Sequence, residues 1–350
     1  MAEILTLGAG ISGLWQALIL ARGGHKVRLI EQSDPPFAAS ASWIAGAMLA
    51  PFCEGEGAEP MVTELGLRGM EIWRELYPQA KINGTLVVAQ ARDLPELDRF
   101  ARMTTGHKTL DTEAIAELEP ALGGRYSRGL YYAHEAHIEP WPAMTALLAM
   151  AKEAGVAVEV GTKWLPEYEK DPKYAADYIV DCRGLGTADE LPDLRGVRGE
   201  MAVVETDEIA LSRPVRLLHP RFPLYVVPWG GNRFMVGATV IESADRGPMK
   251  LRSMLDLLGL AYTLHPAFGE ARVVHHAADT RPAFPNNAPR IIVQGRHIHV
   301  NGFYRHGFLL GPSLAELVAH YIKDGTTRQD VFIADLRERS GARDGGPHAG

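Results

Sequence analysis

Short apolar runs punctuated by glycine set out the elements at the start of the chain. Ala2 to Leu7 is an apolar run suited to a buried parallel strand. Ile11 to Ala21 carries apolar residues at helical spacing and stops at Arg22-Gly23-Gly24. Lys26 to Ile30 reads as a second strand, closing on the acid Glu31. Further on, residues 61–77 predict an amphipathic helix, and Thr85 to Ala89 a strand after Asn83-Gly84. Asp93 to Met103 and Asp111 to Leu118 predict helices, the second stopped by Pro120. Pro142 to Ala154 is helical, Val156 to Val160 a strand, and Tyr178 to Cys182 a buried-type strand that turns at Arg183-Gly184-Leu185-Gly186. Leu224 to Pro228 and Arg233 to Val240 flank Trp229-Gly230-Gly231-Asn232 as a hairpin. Met249 to Tyr262 predicts a helix, Ile291 to Val293 and His297 to Val300 strands, and Ser313 to Lys323 the closing helix.

The first three elements frame Gly8-Ala9-Gly10-Ile11-Ser12-Gly13. In a strand-turn-helix unit Gly8 permits the tight turn, Gly10 lets a pyrophosphate approach the backbone, and Gly13 lets helix and strand pack closely. The helix start offers free N–H groups to phosphate. Glu31, with Gln32 beside it, stands where an acid binds a ribose hydroxyl. A GxGxxG alone is a weak signal; with strand, helix, second strand and acid in place, it predicts a dinucleotide site.

Crossover units at both ends and hairpins between them predict an α/β fold with a discontinuous plan. A Rossmann-type nucleotide domain takes residues 1–81, 134–195 and 277–338. A mainly antiparallel substrate domain, 82–133 and 196–276, interrupts it. Residues 339–350, rich in Gly, Arg, Asp and Pro, predict a disordered tail.

Composition narrows the function classes. The 350 residues carry a net charge of -7 and no basic cluster, which argues against a nucleic-acid surface. No apolar run reaches the roughly 18 residues of a membrane span. The start of the chain has no signal-peptide pattern. Its two cysteines, Cys53 and Cys182, form no disulfide framework and fit a reducing cytoplasm. No metal site is expected: neither cysteine has a ligand-like neighbour, and His297 and His299 alternate on a strand.

Candidate chemistry gathers in the C-terminal third. Arg281 lies in Thr280-Arg281-Pro282, and Arg305 in Asn301-Gly302-Phe303-Tyr304-Arg305-His306-Gly307-Phe308-Leu309. Two arginines in loops beside a flat ligand suit a small carboxylate, which a guanidinium matches in a bidentate way; the other reading is a pair of structural ion pairs. Tyr225, on an alternating strand, is either a phenol aimed at that carboxylate or a half-buried sheet aromatic. The small residues from Ala38 to Met48 either let a backbone lie along a flat ligand or simply pack tightly. His219 and His306 stand near no acid or nucleophile at a telling spacing, and Asp279 reads as a solvated or ion-paired carboxylate rather than a general base. GxSxG, P-loop and HExxH patterns are absent.

Taken in order, several motifs are similar to those of one family. They are the glycine loop, Ala41-Ser42 with Gly46-Ala47-Met48-Leu49-Ala50-Pro51, Tyr225-Val226-Val227-Pro228, Gly237-Ala238-Thr239, Arg281-Pro282 and Tyr304 to Leu310. Over about 335 residues the chain resembles the FAD-dependent D-amino-acid oxidase family, and within it the glycine oxidases of thiamine biosynthesis. The resemblance implies that Arg281 grips the substrate carboxylate with Tyr225 assisting, and that Arg305 lies near substrate. It implies that Phe303 to Leu309 and Gly46 to Met48 border the flavin, and that Glu31 holds the ribose. Phe303, His306 and the stretch Phe284-Pro285-Asn286-Asn287 depart from the usual residues, which bears on substrate preference. Both cysteines are far from the C-terminal region, so the expected FAD is non-covalent.

The implied reaction is oxidation of a small amino acid, glycine first, with hydride passing to flavin. Dioxygen then reoxidises the flavin, giving imine or glyoxylate, ammonia and hydrogen peroxide. Alternatives are a D-amino-acid or sarcosine oxidase or dehydrogenase, and a flavin module without catalysis. An NAD dehydrogenase leaves the Ala41–Pro51 and C-terminal loops unexplained. The partners are then an amino acid and dioxygen, without nucleic acid or membrane; an assembly of like chains stays open.

Overall fold

The computed structural model describes residues 1–221 and 223–334. The expected tail at 339–350, and residues 335–338 of the nucleotide domain, lie outside them. Two large sheets organise the chain. In the first, seven strands lie in the order Phe332–Ala334, Arg290–Gln294, His297–Asn301, Tyr178–Asp181, Glu3–Leu7, Lys26–Ile30 and Ala157–Glu159. Every neighbouring pair is parallel except the Arg290–Gln294 and His297–Asn301 hairpin.

Glu3–Leu7 sits in the middle, which explains its apolar run. Leu5 and Leu7 pack under Trp164 and Tyr174, while Ile4 joins the helices on the opposite face. Register places Leu7 against both Ile30 and Asp181. The carboxyl ends of the three strands therefore meet at Gly8, Glu31 and Cys182. From Glu3–Leu7 the next strand in the chain lies on one side and Tyr178–Asp181 on the other, the switch point at which open α/β sheets bind ligands. Helices Ile11–Arg22, Pro60–Leu76, Pro140–Glu153 and Gly307–Asp324 pack around this sheet.

The second sheet has nine strands and one parallel pair, Val215–Leu218 with Thr85–Ala89. Its spine is Arg195–Glu205, paired antiparallel with Arg233–Gly237 on one edge and Arg272–Ala283 on the other. Helix Leu251–Leu264 packs on it through Leu257, Leu260, Ala261 and Leu264. We propose the domain division given above on these two sheets. One strand crosses it: Arg272–Ala283 pairs with the second sheet along its length, past residue 277.

The elements depart from the apolar pattern at several places, with strands Lys108–Asp111, Arg128–Tyr132, Val215–Leu218 and Phe332–Ala334 among those it does not mark. Arg195–Glu205 and Arg272–Ala283 have no counterpart in it, because charged residues interrupt their alternation; Arg198 and Glu200 are nevertheless fully buried, as an ion pair. Arg233–Gly237 stops short of Val240, since Thr239 turns to donate its N–H to the Glu200 carbonyl at 3.2 Å. The closing helix begins at Gly307 rather than Ser313, with Pro312 inside it. Proline has no N–H for the carbonyl four residues back; the Trp73 indole supplies that hydrogen instead, donating to Phe308 O at 2.7 Å. No helix among the described residues is long and apolar enough to cross a membrane.

Candidate functional site

A cavity of about 1550 Å³ runs from the glycine loop to the second sheet. It exceeds the 300–1,000 Å³ usual for a drug-sized ligand. At the glycine end, Gly8 has φ +89°, and a Cβ at Gly13 would fall 1.8 Å from the Gly8 carbonyl. Gly13 therefore serves the packing of helix on turn and does not line the cavity, whereas Gly8, Gly10, Ile11 and Ser12 do. Glu31 is buried, and its two oxygens accept from Ala9 N at 2.6 Å and from Ser33 N at 2.9 Å. Ser42 Oγ accepts from Ile11 N at 3.2 Å, tying the Ala41–Ile44 turn to the helix start. Gln32, Ala41, Gly46, Ala47 and Met48 also line the wall. A side-chain-free cradle, a helix start and a buried acid on one elongated cavity fit FAD.

At the other end two chain segments are joined. Tyr304 N donates to Pro282 O at 2.8 Å, and Ala283 bridges Phe303. This brings Arg281 beside the segment Phe303 to Leu309, every residue of which lines the cavity. Gly302, at φ +80°, is obliged to be glycine, since a Cβ would sit 2.1 Å from the Phe284 ring. Tyr225 closes this end: a Cβ on Gly46 would lie 3.0 Å from its Cε2. The Gly46–Met48 loop thus backs directly onto the tyrosine.

The two candidate arginines differ. Arg281 stands on the Arg272–Ala283 strand, not in the expected loop. Its one hydrogen bond runs from Nη1 to the Thr239 carbonyl at 3.1 Å, and no carboxylate among the described residues pairs with it. Burial lowers its pKa, with Tyr225, Arg305, Tyr304 and Glu54 as its electrostatic neighbours. Arg305 instead donates to Glu54 Oε2 at 2.6 Å, so for it the ion-pair reading holds. Glu54 is buried and also accepts from Arg216. Burial works against its charge, but Arg305 and Arg216 outweigh it and hold the carboxyl well below the usual range.

His306, expected to stand apart from any acid, lies 3.5 Å from Glu54 through Nδ1. Burial pushes its pKa down to about 4, so it is neutral at neutral pH. Asp279 is ion-paired as expected, accepting from Arg246 Nε at 2.6 Å. Asp181, Glu190 and His299 gather within 4.8 Å, but Arg183 already bridges the two acids. Cys53 and Cys182 are free and buried.

Glu54, Arg216, Met235 and Gly199 also line this cavity, yet sequence reading passes over them, and Thr239, named only within a motif, lines it too. Glu54 gives no local signal, since its partners are 162 and 251 residues away. Thr239 belongs to the Gly237-Ala238-Thr239 motif, whose resemblance was the available signal.

A family described as FAD dependent oxidoreductase (DAO) matches residues 3–321. A Rhizobium etli protein, provisionally named thiamine biosynthesis oxidoreductase ThiO, is 51% identical over 318 residues, covering 91% of this chain and 95% of that one. The glycine oxidase of Bacillus subtilis is 23% identical, covering 96% and 98%. The glycine oxidase structure from Geobacillus kaustophilus superposes with a TM-score of 0.80 at 22% identity, covering 93% of this chain and 95% of that one, a likeness of fold. The chain belongs to the FAD dependent oxidoreductase family, among enzymes of the ThiO and glycine oxidase type.

Proposed function

We propose that the protein oxidises glycine or a similarly small amine-bearing monocarboxylate, and that the product serves thiamine biosynthesis, the role in the name of the Rhizobium etli relative. We place it in the cytoplasm, in keeping with its free, buried cysteines. The observation that carries the reading is Arg281: a guanidinium on the cavity wall with no carboxylate partner among the described residues. A desolvated cation of that kind favours an anionic ligand, and a carboxylate meets two of its N–H groups at once.

Bound non-covalently along the glycine cradle, FAD supplies a two-electron acceptor. Gly8, Gly10, Ile11, Ser12, Glu31 and Gln32 would hold its nucleotide half; Ala41, Ser42, Gly46, Ala47, Met48 and Phe303 to Leu309 would border its ring. Arg281 and Tyr225 then orient the substrate by its acid end, which converts encounter into a fixed approach. Glu54 fixes Arg305 and offsets part of the positive charge. His306, neutral, adds none, and with Arg216, Arg281 and Arg305 against the single charge of Glu54 the field stays positive and favours an anionic ligand. Tyr225 and Gly46, half-buried, pack against the buried Met235 at the same end.

Arg281→Ala removes a charge-assisted contact of about 1.5–3 kcal/mol. The efficiency kcat/KM for glycine should fall roughly 10- to 150-fold, mainly through KM, with FAD content unchanged. Peroxide release, together with anaerobic bleaching by glycine, D-alanine and sarcosine, reads both the role and the preferred substrate. Unaltered glycine kinetics in that variant would exclude Arg281 as the anchor.

A further inference from the structure

Arg281 does not stand off its strand. Pairing sets Val197 opposite Arg281 and Gly199 opposite Asp279, and the guanidinium lies back across Gly199. A Cβ at Gly199 would fall 2.1 Å from Nη2, 2.3 Å from Cζ and 2.7 Å from Nη1. The φ of Gly199 is not in the positive region, so its backbone would accept an L residue. The three atoms such a Cβ would meet first all belong to the guanidinium, which would have to move to admit a side chain. Glycine inside a strand weakens it unless something must approach the backbone closely; here that something is Arg281.

The side wall is Thr239, whose carbonyl accepts from Nη1 at 3.1 Å. Thr239 is itself locked to the next residue of the same strand. Glu200 N donates to Thr239 Oγ1 at 2.9 Å, and Thr239 N donates to Glu200 O at 3.2 Å. Floor and wall are thus fixed to one another through residues 199 and 200.

We propose that Gly199 and Thr239 form a cradle that presets the guanidinium of Arg281, making both of them positioning residues for recognition of the substrate carboxylate. The proposal rests on the reading of Arg281 as the carboxylate anchor. A side chain ordered before binding loses no further freedom when the ligand arrives.

The test is a double-mutant cycle on the FAD-loaded enzyme with Gly199→Ala, Arg281→Ala and the pair. Readouts are glycine kinetics and acetate binding, followed by perturbation of flavin absorbance. Gly199→Ala should raise KM and the acetate Kd roughly 10-fold or more, up to the loss seen on removing the charge-assisted contact in Arg281→Ala. Maximal turnover at saturation should stay near wild type. The same change should add nothing once Arg281 is alanine. Equal losses in both backgrounds would overturn the cradle. A raised KM in Arg281→Ala without one in Gly199→Ala would remove the cradle alone, whereas no effect of Arg281→Ala would remove the anchor reading itself. Thr239→Val, which loses the Oγ1 acceptor at similar volume, gives an independent arm. It should raise KM about fivefold, and Thr239→Ser should restore it; a Thr239→Val enzyme with wild-type KM and acetate Kd would count against the wall.

Discussion

At the scale of single residues, Arg198 and Glu54 are buried charges held by fixed partners, in contrast to Arg281. The Arg198 guanidinium is fully buried and spends its donors on Glu200 and on the carbonyls of Asp245, Gly247 and Pro248. It thereby pins the 243–248 segment, from which Arg246 reaches Asp279 and the Ala39 carbonyl. Removing one member of a buried pair leaves the other uncompensated. Arg198→Met should therefore cost about 3–5 kcal/mol, read as a lower urea midpoint. Glu54 is another such residue, shared between Arg216 and Arg305.

At the scale of elements, the Gly307–Asp324 helix presents the site. Its first residues line the cavity, and its body lies directly on the Pro60–Leu76 helix, where a Cβ at Gly69 would meet the Leu309 carbonyl at 2.0 Å. Trp73 spans the same contact, satisfying the carbonyl that Pro312 leaves open and meeting Trp15 edge-on with ring centroids 4.7 Å apart. Trp73→Phe keeps an aromatic ring but strands Phe308 O. It should destabilise by about 1–3 kcal/mol and quicken FAD loss, measured by melting and by flavin fluorescence release. Elements with unbroken periodicity were legible in advance: Thr85–Ala89 lies where its apolar run places it, as do the glycine turn and its helix. The long pair Arg195–Glu205 and Arg272–Ala283 was not, because its charged residues break the apolar alternation and are neutralised only by pairing in the fold, Arg198 with Glu200 and Asp279 with Arg246.

At the scale of the whole molecule, buried histidines tie stability to pH. Burial pushes both His137 and His306 down to about 4. Below the ordinary value near 6.5 the unfolded chain binds protons there that the folded chain refuses. Their stabilising share is present above pH 6.5 and lost as pH falls toward 4, by up to about 3 kcal/mol for each. The depressed Glu54 adds loss in the same direction below the usual carboxylate range. Calorimetric melting should thus drop between pH 6.5 and 4, and His306→Gln should flatten part of that slope.

The cofactor class was determined by the sequence alone, because a dinucleotide cradle is local. Its glycines, helix start and acid sit within one strand-helix-strand unit, where spacing along the chain equals placement in space. The order of short motifs carried the family in the same way. What the tertiary structure decided is the different surroundings of the two arginines. Arg281 pairs with no acid among the described residues and lies on a glycine floor, whereas Arg305 is claimed by Glu54 from 251 residues away. Charge pairing and steric fit act across space, so they follow from which strands meet and not from which residues are neighbours in the chain.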